Sequence, residues 1–98
     1  MIVLKDKNEF KELIKKDRVL VDFYADWCGP CKAIEPLLEE IDNEGLIEVI
    51  KVDTDRFMSI ARDNHIITIP NLKIFERGKI VKEKTGIMTK DELMEFIK

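Results

Sequence analysis

The 98-residue chain has only two cysteines, one histidine, one tryptophan and one tyrosine, and these scarcities exclude several readings. Two cysteines cannot build the disulfide framework that holds small secreted domains together. If Cys28 and Cys31 pair, they pair with each other, and a bridge across so short a loop adds little stability. A structural zinc site wants four ligands, whereas the chain offers two thiols and His65, with no second CxxC. Three prolines and four glycines are too few for a linker or a low-complexity segment, and no repeat is present. The opening MIVLKDKNEF lacks the apolar run of a signal peptide, and no stretch is apolar enough for a membrane span. Charge of one sign is also missing: acidic and basic residues are mixed, and the formal net charge is −3, so nothing recommends nucleic acid as a partner. The expectation is a soluble cytoplasmic protein forming a single domain over residues 1–98.

What is present is a regular alternation of patterns. Asp6 followed by Glu9 has the spacing of a capping box, and Phe10, Leu13 and Ile14 continue at helical spacing, predicting a helix that ends near Asp17. Val19 to Tyr24 is a nearly continuous apolar, β-branched and aromatic run, the pattern of a strand covered on both faces. Ala33, Ile34, Leu37, Leu38 and Ile41 then repeat at helical spacing, with Gly45 as the stop and Pro36 as an internal kink. Ile47 to Val52 reads as a strand and Arg56 to Asp63 as a helix capped by Asn64. Leu72 to Phe75 and Ile80 to Thr85 form a hairpin across Glu76-Arg77-Gly78-Lys79. Thr89 with Glu92 opens a terminal helix that buries Leu93, Phe96 and Ile97. Alternating strands and helices followed by a hairpin predict an α/β fold: a central mixed β-sheet flanked by helices on both faces.

The two cysteines stand in Trp27-Cys28-Gly29-Pro30-Cys31-Lys32, where a strand hands over to a helix. Pro30 suits the first helical turn, where its missing N–H costs nothing. At a helix mouth, unpaired N–H groups and the positive end of the dipole favour an anion, and the thiolate is the form of cysteine that attacks a disulfide. Cys31 follows one turn later on the same helix face, close enough to reach back to the first sulfur. Two charged residues look misplaced. Asp22 lies mid-strand between Val21 and Phe23, where an unpaired carboxylate is costly. Lys51 interrupts the next strand in the same way, its alternative being to snorkel to the surface. Pro70, after Ile66-Ile67-Thr68-Ile69, is either a strand-start residue or a cis proline; since only about one X–Pro bond in twenty is cis, frequency alone favours trans.

WCGPCK preceded by VDFYAD and followed downstream by TIP closely resembles the thioredoxin family, and the resemblance extends along nearly the whole chain. It implies the thioredoxin fold, with element order βαβαβαββα, and reduction of protein disulfides through a mixed-disulfide intermediate. Carried onto matching positions, it implies that Cys28 is the exposed nucleophile and Cys31 the buried resolving thiol. Asp22 would serve Cys31 in proton transfer, and Lys51 would tune Asp22. Pro70 would be cis, Ile69 would offer its backbone to an extended substrate, and Trp27, Gly29, Pro30 and Gly86 with Ile87 would form the docking surface. No cofactor or metal would be bound beyond the Cys28–Cys31 couple; NADPH would enter only indirectly, through thioredoxin reductase. Other partners would be disulfide-containing proteins such as reductases and peroxidases, met by a monomer.

Three positions depart from the family's usual pattern: Thr68 in place of glycine, Asn71 in place of threonine, and Tyr24 in place of tryptophan. All three bear on partner choice and potential, not on the sulfur chemistry. The short N-terminus leaves Ile2 to Leu4 as a first strand expected to fray. Two rivals from other classes are a non-catalytic docking module with the same fold and a zinc-binding protein, and the same fold could also run the chemistry in reverse as an oxidant or isomerase.

Overall fold

The structure is a computed structural model describing residues 1–98. Five strands form one sheet: β1 (Ile2–Val3), β2 (Val19–Tyr24), β3 (Glu48–Asp53), β4 (Asn71–Glu76) and β5 (Lys79–Thr85). Four helices accompany them: α1 (Lys7–Leu13), α2 (Gly29–Asn43), α3 (Met58–Asp63) and α4 (Lys90–Phe96). The spatial order is β1-β3-β2-β4-β5. β1 and β2 run parallel to β3, whereas β4 runs antiparallel to both β2 and β5. The expected element order and mixed sheet are therefore those observed.

The period-two alternation of the central strands explains how two cores form from one sheet. Leu20, Val49, Leu72 and Ile74 face one side, where Ile34, Leu38 and Ile41 of α2 and Leu93 of α4 cover them. Val19, Val21, Phe23, Ile50 and Val52 face the other, packed with Phe10 of α1, Ile60 of α3 and Phe57 at the N-cap of α3. Phe10 meets Phe75 edge-on at 6.1 Å between ring centroids, the arrangement favoured by the ring quadrupoles. Asp22 follows Leu20 by two residues and Lys51 follows Val49 by two. Both charged side chains therefore belong to the face covered by α2, and the strand register sets them opposite each other.

Helix ends show where local chemistry acts. α2 closes through a Schellman motif: Leu46 N–H donates to Ile41 C=O at 3.0 Å and Gly45 N–H to Asp42 C=O at 2.9 Å, with Gly45 at φ 73°. α3 closes in the same way, with Asn64 as its C-cap, as expected, and His65 at φ 56° in the left-handed position that follows. The Thr89–Glu92 capping box is present. At α1, by contrast, Asp6 accepts from Asn8 N–H with no reciprocal bond from Glu9, and the helix stops at Leu13, short of Asp17. Its extension loses to long-range pairing: Ile14 and Lys16 carbonyls accept from Gly78 and Arg77 N–H of the β4–β5 turn. That turn has Arg77 at φ 49° and Gly78 at φ 86°, two left-handed residues as a two-residue hairpin turn requires. Ala33, expected inward, is exposed. α3 begins at Met58, two residues later than expected. The first strand is anchored: Leu4 is buried and its N–H donates to Lys51 C=O at 2.9 Å.

Candidate active site

The cysteines sit at the carboxyl end of β2, where the central strand passes into α2. Cys28 is the N-cap residue, in extended backbone conformation, and Cys31 is in the first helical turn. The two are joined as a disulfide with Cα atoms 5.3 Å apart. Cys31 N–H donates to Cys28 Sγ at 3.2 Å. The first sulfur thus fills the role that a serine or aspartate oxygen plays at other helix starts, accepting an N–H that otherwise lacks a partner. An anionic sulfur there meets that donor and the positive end of a 15-residue helix.

Cys28 departs from the exposure expected of it. The residue is only 4% exposed, because its sulfur is turned inward to Cys31 in a small cluster with Ala25, Tyr24 and Ile69. Trp27 beside it is 72% exposed, with its indole N–H held by Asp55 Oδ2 at 2.9 Å. Gly29, Pro30 and Ile87 are also exposed. The Ile69–Pro70 peptide is cis, against the frequency argument and in line with the family resemblance. Ile69 carbonyl oxygen lies 3.9 Å from Cys28 Sγ, and Gly86 N–H donates to Pro70 C=O at 3.0 Å. Trp27, the CGPC loop, Ile69-Pro70 and Gly86 are thereby brought to one end of the sheet. A groove of about 500 Å³, lined in part by Trp27, Met58, Ile67 and Ile69, runs away from the disulfide on one side.

Beneath the helix mouth lies the buried acid. β2 is flanked by β3 and β4, so Asp22 is on a central strand. It is 1% exposed and its Oδ1 has no hydrogen-bond partner. Burial pushes its pKa up from 3.8 to about 7; Lys51 opposes that rise and Glu35 adds to it. Lys51 is itself buried and does not snorkel freely to solvent. Its Nζ is 3.1 Å from Glu35 Oε1 and 4.2 Å from the centroid of the Tyr24 ring, a cation–π distance. A cavity of about 160 Å³ joins Cys31, Glu35, Lys51 and Tyr24.

Glu35 is the functional candidate that sequence reasoning missed. It lies four residues after Cys31 in α2, on the neighbouring helix position, and that spacing was the available signal. Tyr24 and Asp55 were missed in their present roles as well, since a ring beneath an ammonium and a carboxylate on an indole N–H arise only from tertiary placement. Across the chain, no group of three or more His, Cys, Asp and Glu side chains is placed to hold a metal ion.

Comparison with known proteins agrees with this geometry. The family model described as Thioredoxin matches residues 1–98. The thioredoxin of Staphylococcus haemolyticus is 39% identical, over 98% of this chain and 94% of its own. Among solved structures, a mutant thioredoxin from Halobacterium salinarum is 33% identical with a TM-score of 0.90, covering 98% of this chain and 86% of that one. Thioredoxin from Plasmodium falciparum is 31% identical with a TM-score of 0.92, covering 99% and 96%. A paired CxxC at the helix mouth, the fold around it and these full-length likenesses agree: the chain belongs to the thioredoxin family of thiol–disulfide oxidoreductases.

Proposed function

We propose that the protein reduces disulfides in other proteins, with Cys28 as nucleophile and Cys31 as resolving thiol. The observation that carries this division of roles is Cys28 Sγ at the N-cap of α2, receiving the Cys31 N–H at 3.2 Å. In the reduced form that donor and the helix dipole favour the Cys28 thiolate. The thiolate attacks one sulfur of a substrate disulfide, the S–S bond breaks, and one substrate thiolate leaves with the bonding pair. Cys31 then gives its proton to the Asp22 carboxylate, and its sulfur attacks Cys28. The second substrate thiolate leaves and the Cys28–Cys31 disulfide forms: the substrate is reduced by two electrons and the protein oxidised by two. Lys51 modulates the acidity of Asp22 from the adjacent strand position.

An extended substrate segment pairs with the Ile69 backbone before Pro70 and rests on Trp27, Gly29, Pro30, Gly86 and Ile87. The apolar groove past Met58 and Ile67 receives the residues flanking the substrate cysteine. Recycling to the dithiol falls to a thioredoxin reductase drawing on NADPH, with disulfide-containing reductases and peroxidases as partners, and the protein works as a cytoplasmic monomer over a single domain, residues 1–98. Reduction of insulin by dithiothreitol tests the reading: wild type accelerates precipitation of the insulin B chain, and Cys28→Ser reduces the rate to background. Undiminished acceleration by Cys28→Ser overturns it.

A further inference from the structure

The buried acid of this site is served by a lysine whose ammonium is held elsewhere. Asp22 and Lys51 are register neighbours on β2 and β3 and share the sheet face under α2. Lys51 nevertheless makes its ion pair with Glu35, at 3.1 Å, and rests over the Tyr24 ring at 4.2 Å. Asp22 Oδ1 is left without a partner. Glu35 is 43% exposed in its side chain, so it stands at the solvent end of an array whose inner end is Asp22. The same three anchors, Tyr24, Glu35 and Lys51, line the cavity that reaches Cys31.

We propose that Glu35 is a positioning residue for the exchange reaction: it holds the Lys51 ammonium at the cavity wall, against Tyr24, and so prevents Lys51 from closing onto Asp22 as a direct ion pair. The inference rests on the reading of Asp22 as proton acceptor for Cys31. Its physical content is a competition between two carboxylates for one cation. An ammonium paired directly with Asp22 favours the ionised carboxylate and makes it a poorer base. Shared with Glu35, the same ammonium favours the ionised Asp22 less, and the Glu35 charge repels a second negative charge at Asp22. Asp22 is then basic enough to accept the Cys31 proton near neutral pH as the Cys31 sulfur displaces the substrate thiolate from Cys28. The remaining titratable and charged groups on this cavity are Asp26 after β2 and Lys32 of α2; Asp53 at the end of β3 acts on Tyr24, whose hydroxyl is pushed up chiefly by burial.

The experiment is a pH titration of the Asp22 carboxyl carbon by NMR, assigned by its loss in Asp22→Asn, in wild type, Glu35→Gln, Glu35→Asp, Lys51→Met and the Glu35→Gln/Lys51→Met double variant. Glu35→Gln should lower the Asp22 midpoint by roughly one pH unit, Glu35→Asp should restore most of it, and Lys51→Met should raise it. In the Lys51→Met background the Glu35→Gln effect should shrink by at least half, because the part transmitted through the lysine is gone. The acid limb of the rate of insulin reduction should move with the midpoint. An unchanged Asp22 midpoint in Glu35→Gln overturns the positioning role, as does an equal effect with and without Lys51. If the acid limb survives in Asp22→Asn, the reading of Asp22 itself falls, and the NMR arm separates the two failures.

Discussion

Replacing Asp22 by asparagine should stabilise the oxidised protein, and by an amount that depends on pH. In the unfolded chain the carboxyl titrates near its ordinary 3.8; in the fold, burial raises that value to about 7. Below about pH 4 both states hold the proton and the residue costs nothing. Between the two values only the folded state holds it, so the folded state binds more protons and stability falls as pH rises. Above pH 7 the fold must contain a carboxylate that is almost wholly shielded from water, and the loss is complete. A displacement of about three tenfold steps at about 1.4 kcal/mol each gives a limit of about 4 kcal/mol. Asparagine retains a buried polar atom much as the protonated acid does, so the difference chiefly reports the cost of ionisation. Urea unfolding of both oxidised proteins at pH 4 and pH 8 should show near equality at pH 4 and an advantage of about 2–4 kcal/mol for Asp22→Asn at pH 8. The same advantage at both pH values, or none at pH 8, would mean that ionisation of a buried Asp22 does not set the difference.

Two further perturbations test how the scaffold is closed. His65 occupies the left-handed position after α3 at φ 56°, where a side chain costs about 1–2 kcal/mol and glycine costs little. His65→Gly should therefore raise unfolding free energy by about 0.5–1 kcal/mol in urea, and a destabilised variant would contradict the role of that torsion. Thr89 Oγ1 accepts from Glu92 N–H, and the Glu92 carboxylate accepts from Thr89 N–H, both at 3.1 Å. Thr89→Ala should cost about 1 kcal/mol through α4, which carries the buried Leu93 and Ile97 cap; no measurable change would mean that packing alone sets the helix start.

Much of the architecture was legible because burial and period agree in this chain. The continuous run of β2 announced a strand covered on both faces, and Gly45 and Thr89 mark helix ends that the backbone then uses. What could not be read was decided by long-range pairing. The end of α1 is set by hydrogen bonds from Arg77 and Gly78, more than sixty residues away, and no local signal near Asp17 contains them. The helix mouth at Cys28 was likewise legible from spacing, and the pairing of Cys28 with Cys31 from the family resemblance, whereas the surroundings of Asp22 were only half so. Asp22 and Lys51 stand out as charges in apolar strands. The ion pair that holds Lys51 comes from Glu35 on a different element, on a helix whose polar face makes one more glutamate unremarked. Tyr24, noted as a departure bearing on specificity, turns out to lie under the Lys51 ammonium.

Attack by Cys28 and resolution by Cys31 are distinguished by intercepting the covalent intermediate. Reduced Cys31→Ser and Cys28→Ser proteins are each mixed with insulin, quenched with acid and analysed by mass spectrometry with peptide mapping. Cys31→Ser should accumulate a mixed disulfide joined through Cys28, while Cys28→Ser, whose remaining thiol lies inside the first turn of α2 and not at the N-cap where Cys28 Sγ accepts the Cys31 N–H, should accumulate little or none. An adduct that forms readily through Cys31 and not through Cys28 would make Cys31 the nucleophile and overturn this division of roles.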